Sequence, residues 1–137
     1  MPYEIAFTKR VEIAHPEEYF NTCCHGGDIV ADQLLPSVQQ RYSSIQHNQE
    51  DWGWFIWFKR GEVGLAIDIF CDDPAIGAFR IHLSSSKPRF LFLDSVVDTP
   101  ELEELKTQVV GDLTRWIGAS PRVQAVDNDF RPKRGAA

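Results

Sequence analysis

The side chains best suited to chemistry in this 137-residue sequence cluster at Cys23-Cys24-His25-Gly26-Gly27-Asp28. A thiol among glycines, just ahead of a helix, has its thiolate favoured by the positive end of that helix. Cys24 is therefore the candidate nucleophile. Its base would be a histidine from elsewhere, since a neighbour such as His25 seldom orients correctly for it. The plainer reading packs Cys23 or Cys24 as a small apolar residue and uses Gly26-Gly27 to link two helices. With Cys71 and Asp72 or Asp73 the cluster also offers metal-binding atoms, but it lacks the paired C-x2-C spacing of structural zinc sites. No metal and no cofactor is expected.

A second group is Asp68, Arg80 and His82. On one sheet face they could recognise an anion or assist proton transfer. The plainer reading is a surface ion pair beside a spectator histidine. Of the four tryptophans, Trp54 and Trp116 fall on apolar stripes and Trp52 starts a strand. Only Trp57 has a claim to the surface, as a stacking platform for sugars or bases, and acidic surroundings argue against bases.

The elements that position these residues centre on Trp52 to Leu93, which reads as four successive antiparallel strands. A hairpin tip at Arg60-Gly61 pairs Phe58 with Val63, Ile56 with Leu65 and Trp54 with Ile67. A turn centred near Pro74 pairs Ile69 with Phe79 and Leu65 with Leu83. One face is then continuously apolar, from Trp54, Ile56 and Phe58 to Phe79, Ile81 and Leu83. The other carries Phe55, Trp57, Gly64, Ala66, Asp68, Phe70, Arg80 and His82, with Asp68 across from Arg80 and Trp57 across from Gly64. Ser84 to Pro88 reads as a turn. The strand Arg89 to Asp94 is apolar on both sides, so either Phe90 and Phe92 or Leu91 and Leu93 join the second face.

Around this block, Tyr3 to Ile13 alternates as a half-buried strand. His15-Pro16-Glu17-Glu18 opens a short helix that Gly26-Gly27 closes. Asp28 suits the cap of a second helix with the stripe Val30, Leu34, Val38, Tyr42 and Ile45, which Pro36 should kink or split. Gln46 to Asp51 reads as a loop. Asp98-Thr99-Pro100-Glu101 starts a last helix, with the stripe Leu102, Leu105, Val109, Leu113 and Trp116, and Gly118 ends it. The expected fold is an α+β two-layer sandwich, β-α-α-β-β-β-β-α, with a mostly antiparallel sheet and helices packed on one face. It occupies residues 1–121 as a single domain, with a partly disordered tail over 122–137. This order resembles the TATA-binding-protein-like class, which includes the helix-grip proteins with a long C-terminal helix across a curved sheet. The resemblance implies a small-ligand cavity between sheet and helix, lined by Leu105, Val109 and core-face residues.

A net charge of −6 disfavours non-specific nucleic-acid binding. The apolar runs are too short for a membrane span, and the first residues lack the apolar core of a signal peptide. Three cysteines, an odd number, agree with a reducing compartment, so the expected location is cytoplasmic. The deciding feature is the second face. The helices cover the first only, while Phe55, Trp57, Phe70 and the last strand leave an apolar patch of the size used for contacts. The expectation is a small non-catalytic binding domain whose second face is covered by a second copy, another protein or the domain's own tail, with face-to-face or edge-to-edge homodimerisation preferred because symmetric pairs are the commonest oligomers. Such a dimer should weaken with Trp57→Asp or Phe70→Asp. A binder of small apolar ligands and a Cys24-dependent enzyme are the alternatives.

Overall fold

Alternating apolar residues build a sheet, and this chain lays down most of it as consecutive hairpins. In the computed structural model, which describes residues 1–88 and 94–131, the strands are β1 (Tyr3–Thr8), β2 (Ser43–Glu50), β3 (Gly53–Arg60), β4 (Val63–Asp73), β5 (Ala78–Pro88), β6 (Asp94–Val96) and β7 (Arg122–Ala125). They form one antiparallel sheet in the order β2-β3-β4-β5-β1-β7, and β6 pairs with the far end of β5. Helices α1 (Gly27–Arg41) and α2 (Pro100–Ile117) pack on one face. There Ile56, Ile67, Ile69, Ile81 and Leu83 are fully buried against Val30, Leu34 and Val38 of α1 and Leu105, Val109 and Leu113 of α2. Each such side chain contributes roughly 1.5–3 kcal/mol of burial before entropy is charged against it. α2 begins where expected: Thr99 Oγ1 accepts the Leu102 N–H at 3.1 Å, Pro100 opens the first turn, and Gly118 ends the helix at φ +79°.

Both hairpin registers differ from expectation by two residues. Gly61 takes φ +62°, so Gly61-Glu62 forms the tip and Arg60 pairs with Val63. Phe58 then faces Leu65 and Ile56 faces Ile67; in the next pair Ile69 faces Ile81. A slip of two preserves every side chain's face, so the core is unaffected. What changes is the partner across the strand. Asp68 faces His82, Arg80 faces Phe70, and Trp57 faces Ala66.

Other expectations need correction. The serine run at Ser84–Ser86 continues β5 instead of turning. The choice between Phe90/Phe92 and Leu91/Leu93 lies outside the described residues. β2 occupies the stretch read as a helix end and loop; it is polar and exposed, and its ladder with β3 makes it a strand. Pro36 lies inside α1 without splitting it, and Gly26 (φ +78°), not Asp28, is the N-cap. Asp28 instead accepts the Tyr19 hydroxyl at 2.7 Å. The short helix after His15 is two single 3-10 turns, Pro16–Glu18 and Thr22–Cys24. β1 stops at Thr8. Past residue 121 the chain is still part of the sheet, because β7 pairs with β1 and Val126 behind it is fully buried.

Candidate functional site

Alternation carries Phe55, Trp57, Asp68, Phe70, Arg80 and His82 to the face without helices, as expected. The ladder sets Phe55 against Asp68, Asp68 against His82, and Phe70 against Arg80. These residues nevertheless divide into two groups, one closed and one open.

The closed group lies over β5 and β1. Arg80 binds Asp72 with two nitrogens, each at 3.2 Å, and lies 3.8 Å from Glu4 Oε1, so its ion partners are Asp72 and Glu4 and not Asp68. His82 Nε2 lies 3.0 Å from Glu4 Oε1 and 3.1 Å from Arg80 Nη1. That nitrogen can donate to the first or accept from the second, not both. Burial pushes the His82 pKa below its ordinary value, against the upward pull of Glu4. Gln124 on β7 donates to the other Glu4 oxygen at 2.7 Å. Phe130 stacks flat on His82, with ring centres 4.2 Å apart and 4° between planes. The chain's own C-terminal segment thus covers the histidine, which is 8 % exposed. Glu4, Gln124 and Phe130 were not singled out from the sequence, and Asp72 only as a metal-binding candidate. Glu4 alone left a signal, as a charge alternating with apolar neighbours in β1.

The open group lies over β3 and β4. Trp57 is 42 % exposed, yet it is held in place. Its ring centre is 4.2 Å from that of Phe55, and its indole N–H donates to Asp68 Oδ1 at 3.0 Å. Burial raises the Asp68 pKa, and this hydrogen bond partly offsets the rise. Beside Trp57 runs a groove of about 290 Å³. Gly64, Ala66, Ser84 and Ser86 floor it; Trp57, Lys59, Ser44 and Gln46 stand along its rim. A methyl group on Gly64 would come within 2.8 Å of Ser86 Oγ, so the bare backbone keeps the floor low. An aromatic wall, hydroxyls and a cation in one concavity suit a ring-bearing ligand with an anionic or hydroxylated edge. The serines were missed because their run reads as a turn, although Ser84 and Ser86 share the parity of His82.

The requirements of a cysteine nucleophile are not met at Cys24. Its side chain is fully buried, and its thiol donates to the Glu50 carbonyl at 3.0 Å. Burial raises its pKa, which disfavours the thiolate. His25 packs on Tyr19 instead, with ring centres 5.1 Å apart. Cys23 is the exposed thiol, and burial pushes Cys71 up to about 11. Among the described residues no three His, Cys, Asp or Glu side chains are grouped to hold a metal. Nor is any described helix long and apolar enough to cross a membrane. The space assigned to a cavity under α2 is filled, since Leu105 and Val109 are fully buried in the core. The chain matches no family model, no curated protein and no solved structure.

Proposed function

We propose that this protein is a non-catalytic binding domain, and that the groove beside Trp57 is its contact surface. The observation that carries this reading is the indole itself: 42 % exposed, but tied to Asp68 and backed by Phe55. A large ring fixed before a ligand arrives offers apolar area with little further loss of entropy on binding. Lys59 and the hydroxyls of Ser84 and Ser86 supply the polar contacts that orient an occupant. The helix-grip likeness rests on element order, with α2 across an antiparallel sheet, but the ligand space it implies is occupied by Leu105 and Val109.

Fluorine NMR on protein labelled with 5-fluorotryptophan tests the reading. The probes are ring-bearing fragments that carry a carboxylate or hydroxyl groups. The line lost in Trp57→Phe should move on binding while those of Trp54 and Trp116 stay still. Ser84→Leu, which fills the floor, should abolish the movement. Fragments that move only Trp116, or none that move Trp57, would overturn it.

A further inference from the structure

β2 ends the sheet on one side, and among the described residues no strand pairs with its outer edge. We propose that this edge joins two copies of the chain, β2 against β2, antiparallel about a two-fold axis near His47 and Asn48. The two-residue loop Asp51-Trp52 makes Glu50 and Gly53 a mutually bonded pair. By alternation Asn48 and Gln46 bond inward to β3, and His47 and Gln49 turn their N–H and C=O groups outward. Among the described residues no main-chain group from another segment bonds the main chain of that edge. The Gln49 N–H is taken by Asn48 Oδ1 at 2.8 Å, and the Gln49 side chain bonds the main chain of Glu18 and Phe20, so the N–H and C=O of His47 are the outward pair left for a partner.

Free edges in soluble proteins are ordinarily blunted by lysine, proline or a charge pointing inward. Gln46-His47-Asn48-Gln49 has none of these. The single irregularity of β2, a bulge between Ser43 and Gln46, lies at one end and leaves that stretch regular. At the opposite edge of the sheet the described residues offer the four of β7 and the three of β6.

Charge and apolar contact both select a second copy as the occupant. Antiparallel pairing runs Glu50 of one chain towards the bulged end of the other, where Lys59 stands opposite Ser43. Glu50 and Lys59 are both exposed and, among the described residues, neither forms an ion pair within its own chain. Phe20 is 65 % exposed and is held beside Gln49, whose Oε1 accepts the Phe20 N–H at 2.8 Å. The same pairing brings the half-buried Ile45 of the other copy alongside it. A two-fold axis perpendicular to the sheet keeps both helix-free faces on one side. The two grooves, each rimmed at β2 by Ser44 and Gln46, then flank the seam. Pairing at this edge does not depend on what the groove holds.

Sedimentation equilibrium on the full chain at micromolar concentration tests the proposal. The wild type should be a dimer that weakens as salt rises. His47→Pro removes an outward N–H at a position where an edge strand tolerates proline, so it should be a monomer with wild-type circular dichroism. Glu50→Lys and Lys59→Glu should each raise the dimer Kd about tenfold, and the two together should restore it. That rescue reads contact between copies, because the two residues lie at opposite ends of the β2–β3 hairpin in their own chain. Trp57→Asp should leave the dimer intact. A monomeric wild type overturns the proposal, as does a dimer that survives His47→Pro with its fold intact. Loss of the dimer in Trp57→Asp alone would place the contact on the sheet face instead.

Discussion

A methyl group on Gly27 would sit 1.9 Å from Trp54 Cδ1. Alanine elsewhere in a helix gains up to about 1 kcal/mol over glycine, but here overpacking at about 1–3 kcal/mol outweighs that gain. Gly27→Ala should therefore destabilise the fold, seen as a lower urea midpoint with an unchanged slope. Part of the reason is that Trp54 cannot simply swing aside: its indole N–H donates to the Cys24 carbonyl at 2.9 Å. Asp68 supports a prediction of a different kind. Burial raises its folded pKa above the ordinary 3.8. A carboxyl shifted upward adds stability while protonated. That contribution is whole below the unfolded pKa and is lost as pH rises through the folded one. Asp68→Asn stays neutral and keeps an oxygen for the Trp57 indole. Its melting temperature should gain on the wild type as pH rises from acid to neutral; a constant difference would refute this account.

At the scale of elements, α2 is the best-specified piece of the chain, and its N-terminus shows why. Thr99 is 6 % exposed, and its hydroxyl both accepts the Leu102 N–H and donates to Ser85 Oγ at 3.0 Å. Thr99→Ala removes the cap and the hydrogen bond that the buried Ser85 accepts, although Ser85 still donates to the Val97 carbonyl at 2.6 Å, so chemical denaturation should report a loss of about 1–2 kcal/mol. Thr99→Ser should recover most of it. The same cap, followed by proline and acids, is local chemistry that can be read without neighbours. So is the stripe from Leu102 to Leu113. β2 is the opposite case. Apart from Ile45, nothing in Ser-Ser-Ile-Gln-His-Asn-Gln-Glu favours a strand; the ladder to β3 makes it one, and a ladder is not local. The hairpin registers fall between these cases. Period two preserved the faces, while the choice of tip residue shifted each partner by two.

Across the whole molecule, what could be read depended on sequence separation. Trp57 was legible as a surface ring because alternation alone decides it, and its tie to Asp68 was hidden by the shifted register. The Glu4–His82 contact spans 78 positions and the Glu4–Gln124 contact 120, so no local pattern announces either. Phe130, which closes off His82, was for the same reason read as part of a tail. β1 gathers these distant contacts. It lies between β5 and β7, although it precedes both in the chain. On the ribosome, β2 to β5 can zip up in the order they emerge, each against the strand just before it. The first strand has to wait for Ala78–Leu83, and one of its sides stays unmatched until Arg122–Ala125 have been synthesised. The nascent protein therefore carries an orphan apolar ribbon for most of its production, and it is there that stray pairing with another unfinished chain would begin.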